Sequence, residues 1–420
     1  MSEHDGGTPT ERDLAHHMVR MHGRNPREHG RSASPLELFF DLVFVIAIST
    51  ASAQLAHALA EGHIGSGVLA FAFCLFAIMW AWVNFSWFAS AFDTDDWLYR
   101  LTTMLQMVGV LILAMGIAPI FTSIEEGGHL DNRVLVGGYV VMRVAMIFQW
   151  LRVAKQDPEH RDCALTYVKF IAAAQVGWVL LIFPDMSLGL TLACMLPLYA
   201  LEFLGPVFAE RKGEGTPWHP HHIAERYGLI VIIALGECLI GTIAALQVVV
   251  EEQGWSWEVA AVGLAGVGIA FTLWWIYFAV PMGEGLHANR SRAFVFGYGH
   301  IVIVAAVAAI GAGLHVCAYY LEHKSTLSST GTLLTVIVPM LVFWGMLIAI
   351  YTAVIARDQL HVRETVIFVA ILAVAVVLAQ VHVALTICLL VAACALVPTI
   401  VTDERLGVRE REQALRDIES

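Results

Sequence analysis

Two carboxylates stand where water should be scarce. Asp41 lies in the run Glu37-Leu38-Phe39-Phe40-Asp41-Leu42-Val43-Phe44-Val45, and Glu237 interrupts the apolar stretch from Leu229 to Ile243. A charge in lipid must face protein or trapped water, so each is a functional-site candidate by default. Gly236 and Gly241 flank Glu237, which lets a second backbone or a ligand come close. That setting suits a proton- or cation-coupling group, and equally a glutamic acid that bridges helices by hydrogen bonds. Glu37 and Asp41 are four residues apart and share a helix face. They read either as a cation-attracting mouth, or as a helix-start glutamate beside an aspartate that answers Arg143.

Arg143 cannot shed its proton and therefore needs an anion. Counting 1.5 Å per residue puts Arg143 and Glu237 roughly 15 Å deep, Asp41 roughly 8 Å and Glu202 about 10 Å. Glu202, Asp41 and Glu237 are thus its candidate partners. His300, in Gly297-Tyr298-Gly299-His300, is placed either to relay protons or to serve as hydrogen-bonded structure. The coupling set read from these residues is Glu237, Asp41 and His300, with Glu37 and Glu225 at the cytoplasmic lips. Arg143, Glu202 and Arg226 read as structural charge pairs.

Composition says what must hold these groups. The chain has 420 residues, 58% hydrophobic and 14% charged, with mean hydropathy +0.70; soluble domains run at roughly 25% charged. Apolar blocks fall at 36–60, 67–92, 100–121, 133–154, 164–183, 187–209, 226–249, 256–280, 292–320, 331–355, 363–380 and 382–401. Each is near the ~20 residues that cross a bilayer. The expected fold is an all-α polytopic membrane protein with about twelve transmembrane helices in the cell (inner or plasma) membrane. With the N-terminus in the cytoplasm, 24 Lys and Arg fall inside except Arg133, Lys324 and the mid-helix Arg143. This asymmetry follows the positive-inside rule, puts both termini in the cytoplasm and makes the number of crossings even.

The expected domains are an N-terminal arm (1–34, flexible), a six-helix bundle (35–209), a linker (210–224), a second bundle (225–401) and a charged tail (402–420). In the linker, His219, His221 and His222 beside Pro217 and Pro220 read as solvated loop residues. The acidic loops 93–96 and 281–287 read as gates or as docking points for the basic arm. The two bundles read as a parallel duplication. Each opens on a glutamate with an aromatic two residues on, Glu37-Leu38-Phe39 and Glu225-Arg226-Tyr227. Each has a tryptophan-rich second helix, with Trp80, Trp82 and Trp87 in one and Trp274 and Trp275 in the other. The tryptophans read as lipid-facing and interfacial, with an aromatic-lined path as the alternative.

The segment Glu37-Leu38-Phe39-Phe40-Asp41-Leu42-Val43-Phe44-Val45 resembles the opening motif of the low temperature requirement protein A (LtrA) family of bacterial membrane proteins. Glu225-Arg226-Tyr227-Gly228-Leu229-Ile230 through Leu235-Gly236-Glu237 resembles its second signature. The resemblance runs from about residue 30 to 400. It implies the architecture and the importance of Glu37, Asp41, Glu225, Arg226 and Glu237, and it supplies no chemistry. The duplicated repeat is also similar to lysosomal-type potassium channels. Their Phe-Ser-Asp motif has a serine that Phe39-Phe40-Asp41 lacks, which weighs against a potassium pore.

The function expected is a proton- or cation-coupled secondary transporter of a small ion or molecule. A passive cation or proton channel is the alternative, and an intramembrane lipid-modifying enzyme ranks below both. No catalytic, metal, cofactor, nucleotide or nucleic-acid motif is visible. The seven cysteines form no metal or disulfide spacing. No apolar h-region follows the charged start, so no cleavable signal peptide is expected. Homo-oligomerisation stays open.

Overall fold

Ser34 starts the first helix. Its hydroxyl accepts from the Glu37 N–H, and the Glu37 carboxylate accepts from the Ser34 N–H at 2.8 Å, a reciprocal cap with Pro35 at the first helical position. From there the computed structural model is helical. It describes residues 17–184, 186–355 and 360–407. The helices are α1 (Pro35–Ala60), α2 (Ile64–Phe92), α3 (Trp97–Met115), α4 (Ile117–Glu126), α5 (Arg133–Gln156), α6 (Arg161–Leu180), α7 (Leu188–Ala209) and α8 (Pro220–Gln253). They continue with α9 (Trp257–Ala279), α10 (Met282–Ala288), α11 (Ala293–Leu321), α12 (Ser329–Val354), α13 (Leu360–Gln380), α14 (Leu385–Ala393) and α15 (Val397–Thr402). Among the described residues there are no strands, and twelve helical segments are long and apolar enough to cross a membrane. Arg12, Arg357, Arg409, Arg411, Arg416 and the tail beyond 407 lie outside the described residues.

The block at 100–121 is two helices end to end. Gly116 sits between α3 and α4, where a Cβ would come within 2.3 Å of the Leu135 backbone nitrogen on α5. Pro119 has no N–H to give the Met115 carbonyl, so the helix cannot run straight through. The final block is likewise segmented at Cys394–Leu396, ahead of Pro398. The turn after Gln380 separates the last two crossings, with His382 at φ 63°.

The core lies along α11, the most buried of the twelve candidate crossings. It packs between α8 and α12, and α1 lies against α11, α8 and α2. Gly241 and Gly311 allow the α8–α11 approach: a Cβ on Gly311 would meet the Glu237 carbonyl carbon at 2.6 Å, and one on Gly241 the Gly311 oxygen at 2.5 Å. Gly236, expected to do the same, faces open space.

Residues 17–34 are docked rather than loose. Met21 N–H donates to Gln156 Oε1 and Gly23 N–H to Asp157 Oδ2, both at 2.7 Å, and Arg24 N–H donates to the Ala91 carbonyl at 2.9 Å. Met21 is fully buried. Arg31 reaches Asp93 at 3.5 Å, so the first acidic loop does hold the basic arm; 282–288 instead form α10 against α8. Burial pushes the Asp93 carboxyl up to about 6, the Glu37 charge adds to this, and Arg31 opposes it. A raised carboxyl pKa contributes stability at low pH that is lost as pH rises through about 6. Asp93→Asn cannot titrate, so its melting temperature should gain on the wild type between pH 5 and pH 8. A pH-independent difference would show that Asp93 does not titrate in this range.

Candidate functional site

The sequence candidates fall into separate polar sites inside the bundle, beside the buried Arg152–Asp96 pair. The first joins α1 to α8. Arg226 Nη2 donates to Asp41 Oδ1 at 2.6 Å, its Nη1 lies 3.4 Å from Glu37 Oε1, and His222 Nε2 is 3.2 Å from the same oxygen. Trp82 Nε1 donates to Asp41 Oδ1 at 2.7 Å, and Ser86 Oγ is within 3.4 Å of Arg226. All four ionisable groups are 1% exposed or less. Asp41 Oδ2, Arg226 Nε and His222 Nδ1 have no hydrogen-bond partner among the described residues. A buried charge cluster with spare donors and acceptors has room to rearrange its bonds.

Local sequence explains the geometry. Four-residue spacing sets Glu37 and Asp41 one above the other on α1, and His222 and Arg226 likewise on α8. Asp41 therefore answers Arg226, not Arg143. His222 is no loop histidine: α8 begins at Pro220, the first helical position, capped by His219. Glu225 points away, is exposed and accepts from the Ala33 N–H at 3.2 Å. It tethers the arm and lies outside the cluster.

The second site is the pair Arg143–Glu202, 3.1 Å apart between α5 and α7. Trp80 Nε1 donates to Glu202 Oε2 at 2.7 Å and Tyr139 Oη to Oε1 at 3.2 Å. Arg143 also donates to Tyr139 Oη and lies 4.7 Å over its ring centroid. This partner is one of the three that helix depth allowed.

Glu237 forms the third. Ser49 Oγ donates to its Oε1 across the α1–α8 contact, Gly311 packs on its backbone, and it is 3% exposed. His300 is satisfied at both ring nitrogens: Nδ1 pairs with the Phe296 carbonyl at 2.7 Å, and Nε2 with Tyr277 Oη at 2.9 Å. Asp41, Glu237 and His300 thus do not converge on one point. Rings link two of them. Trp82, bonded to Asp41, lies edge-on to Tyr227 at 4.9 Å, and Tyr227 lies edge-on to His300 at 4.8 Å.

A cavity of about 180 Å³ opens among α2, α5, α6, α7, α11 and the linker. Trp80 and Trp87 form part of its wall. Trp80 holds Glu202 behind it, and Trp87 Nε1 donates to Tyr227 Oη at 3.0 Å. The cavity therefore shares the Trp80 wall with the Arg143–Glu202 pair, and reaches the α1–α8 cluster only through Tyr227 and Trp82. Trp80 and Trp82 are buried and Trp87 is half-buried, which corrects their reading as lipid-facing. That reading fits Trp274, which is 41% exposed.

These features define a polytopic helical membrane protein with paired charges inside its bundle. The family described as "Bacterial low temperature requirement A protein (LtrA)" matches residues 32–399, and the chain belongs to it. A similar protein is "Uncharacterized protein RA0937" of Rhizobium meliloti (strain 1021). It is 25% identical over 288 residues, 66% of this chain and 67% of that protein. No solved structure matches the chain.

Proposed function

We propose that this LtrA-family protein is a proton- or cation-coupled secondary carrier in the cell membrane, rather than an enzyme. In this reading both termini are cytoplasmic, the two six-helix halves are parallel repeats, and a small ion or molecule is carried. One observation carries it: Glu37 and Asp41 face a single guanidinium, Arg226, in a fully buried cluster. Two carboxylates against one arginine leave one negative charge, and uncompensated buried charge is costly. One proton or one small cation neutralises the set, and Asp41, Glu37 and His222 can share it. Arg31 and Asp93 lie nearby as a second pair, neutral while Asp93 is ionised, and the Glu37 charge reaches Asp93. Trp82, Tyr227 and Trp87 connect the cluster to the cavity, so occupancy of one can bias the other. Glu237 acts as a second proton site between α1 and α8.

Proteoliposomes with a trapped pH dye, challenged with ammonium, carboxylate and metal-cation salts, test this. A saturable, substrate-driven proton movement is expected. Asp41→Asn should abolish it. Glu237→Gln should do the same while purifying as folded protein, because the amide oxygen still accepts from Ser49. Rapid non-saturating conductance would establish the channel instead. Unchanged proton movement in both variants would remove these carboxylates from the mechanism.

A further inference from the structure

The cavity in front of the Arg143–Glu202 pair has unusual walls for its size. At about 180 Å³ it holds the volume of about six water molecules. Trp80, Trp87, Trp150, Tyr167, Trp218 and Tyr298 line it. Aromatic faces carry negative quadrupole charge and attract cations, most strongly cations with weak hydration. One cation already uses this wall: the Arg290 guanidinium lies 3.9 Å over the Trp218 ring centroid.

The remaining polar groups are mostly acceptors; the exception is Trp150 Nε1, a buried donor with no partner among the described residues. Glu210 supplies a carboxylate, fixed by Tyr167 Oη at 2.7 Å, Thr216 Oγ1 at 2.8 Å and the Thr216 N–H at 2.9 Å. Asn84, also in the lining, donates an amide hydrogen to the Trp80 carbonyl at 2.7 Å. The Tyr298 hydroxyl is buried and has no partner among the described residues. Arg290 donates to the Trp218 carbonyl at 2.9 Å, stacks on that ring and lies within reach of the Glu210 charge, which a bound cation would share. A metal ion would have to surrender its water shell to ring faces that cannot replace it.

We propose that this cavity binds a small organic ammonium ion, held by the aromatic walls with Glu210 as counter-charge and the Tyr298 hydroxyl as an oriented acceptor. As the carried substrate this rests on the carrier reading; as a binding site it does not.

The full-length protein in detergent should be titrated calorimetrically with three compounds of one shape. Choline is the cation, 3,3-dimethyl-1-butanol its neutral isostere, and 3,3-dimethylbutyrate the anion. Choline should saturate and bind about tenfold or more tightly than the neutral isostere. Glu210→Gln should weaken choline by about tenfold while the neutral isostere changes little; Tyr298→Phe, which removes the hydroxyl and keeps the ring, should weaken both alike. Equal binding of choline and its isostere would reduce the site to an apolar pocket and overturn the assignment. So would preference for the carboxylate, which would place Arg290 in charge, or no saturable heat at all. Proton movement in liposomes with no choline binding would sink only this assignment; choline binding with no proton movement would sink only the carrier.

Discussion

Arg226→Gln should cost about 3–5 kcal/mol of stability, the range for removing one partner of a buried ion pair. The variant leaves Glu37 and Asp41 stacked one turn apart, with His222 as the remaining basic group in contact. Like charges at this spacing repel, and neither reaches water. Asp41→Asn should cost much less. Arg226 keeps Glu37 at 3.4 Å, and the amide oxygen still accepts from Trp82. The double variant Arg226→Gln/Asp41→Asn should then recover part of the loss, because it again holds one carboxylate beside one histidine. Thermal unfolding of the four detergent-purified proteins closes the cycle. Strictly additive losses would mean that Arg226 and Asp41 do not interact. The same set has a functional arm: substrate uptake that persists in Asp41→Asn with a flattened pH profile identifies the cluster as the proton carrier, independently of stability.

Much of this arrangement was legible in the chain, and the reasons differ by residue. Twelve apolar runs of bilayer length fix the helices, because lipid forces every backbone group into an internal hydrogen bond. Burial of Asp41 and Glu237 followed from their apolar neighbours. The Arg143–Glu202 pair followed in part from depth, which narrowed three acids without choosing. Depth counts residues along an axis; it carries no azimuth. For that reason Arg226, at the lip of α8, did not announce itself as the partner of Asp41.

His222 was hidden by punctuation. Pro217 and Pro220 make 210–222 look like a loop, yet a proline at the first helical position promotes the helix it begins. The four-residue step from His222 to Arg226, matching that from Glu37 to Asp41, was the signal available. Residues 17–34 lack hydrophobic periodicity, and their backbone partners Asp96, Gln156 and Asp157 are far along the chain, where no local pattern points. The tryptophans posed a similar problem. Trp80 and Trp87 are seven residues apart and share a face, but spacing alone does not say whether that face meets lipid or a cavity.

Arg143→Gln and Glu202→Gln should both destabilise, and not equally. Without Arg143, Glu202 keeps two donors, Trp80 Nε1 and Tyr139 Oη, and a carboxylate can take up a proton to become neutral. Without the Glu202 charge, Arg143 remains a cation inside the bundle, 1% exposed, and cannot release its proton. Its cation–π contact with Tyr139 offsets only part of that, about 0.5–2 kcal/mol. Glu202→Gln should therefore be the worse of the two, near the upper end of about 3–5 kcal/mol, and Arg143→Gln nearer the lower end. Substrate preference should stay unchanged in Arg143→Gln, because Trp80 still finds Glu202 behind the cavity wall. Normal yield and melting temperature with altered selectivity would reverse this assignment and make Arg143 part of the transport path. Equal losses in the two single variants would show instead that water reaches the pair, since only a dry site separates a group that can neutralise itself from one that cannot.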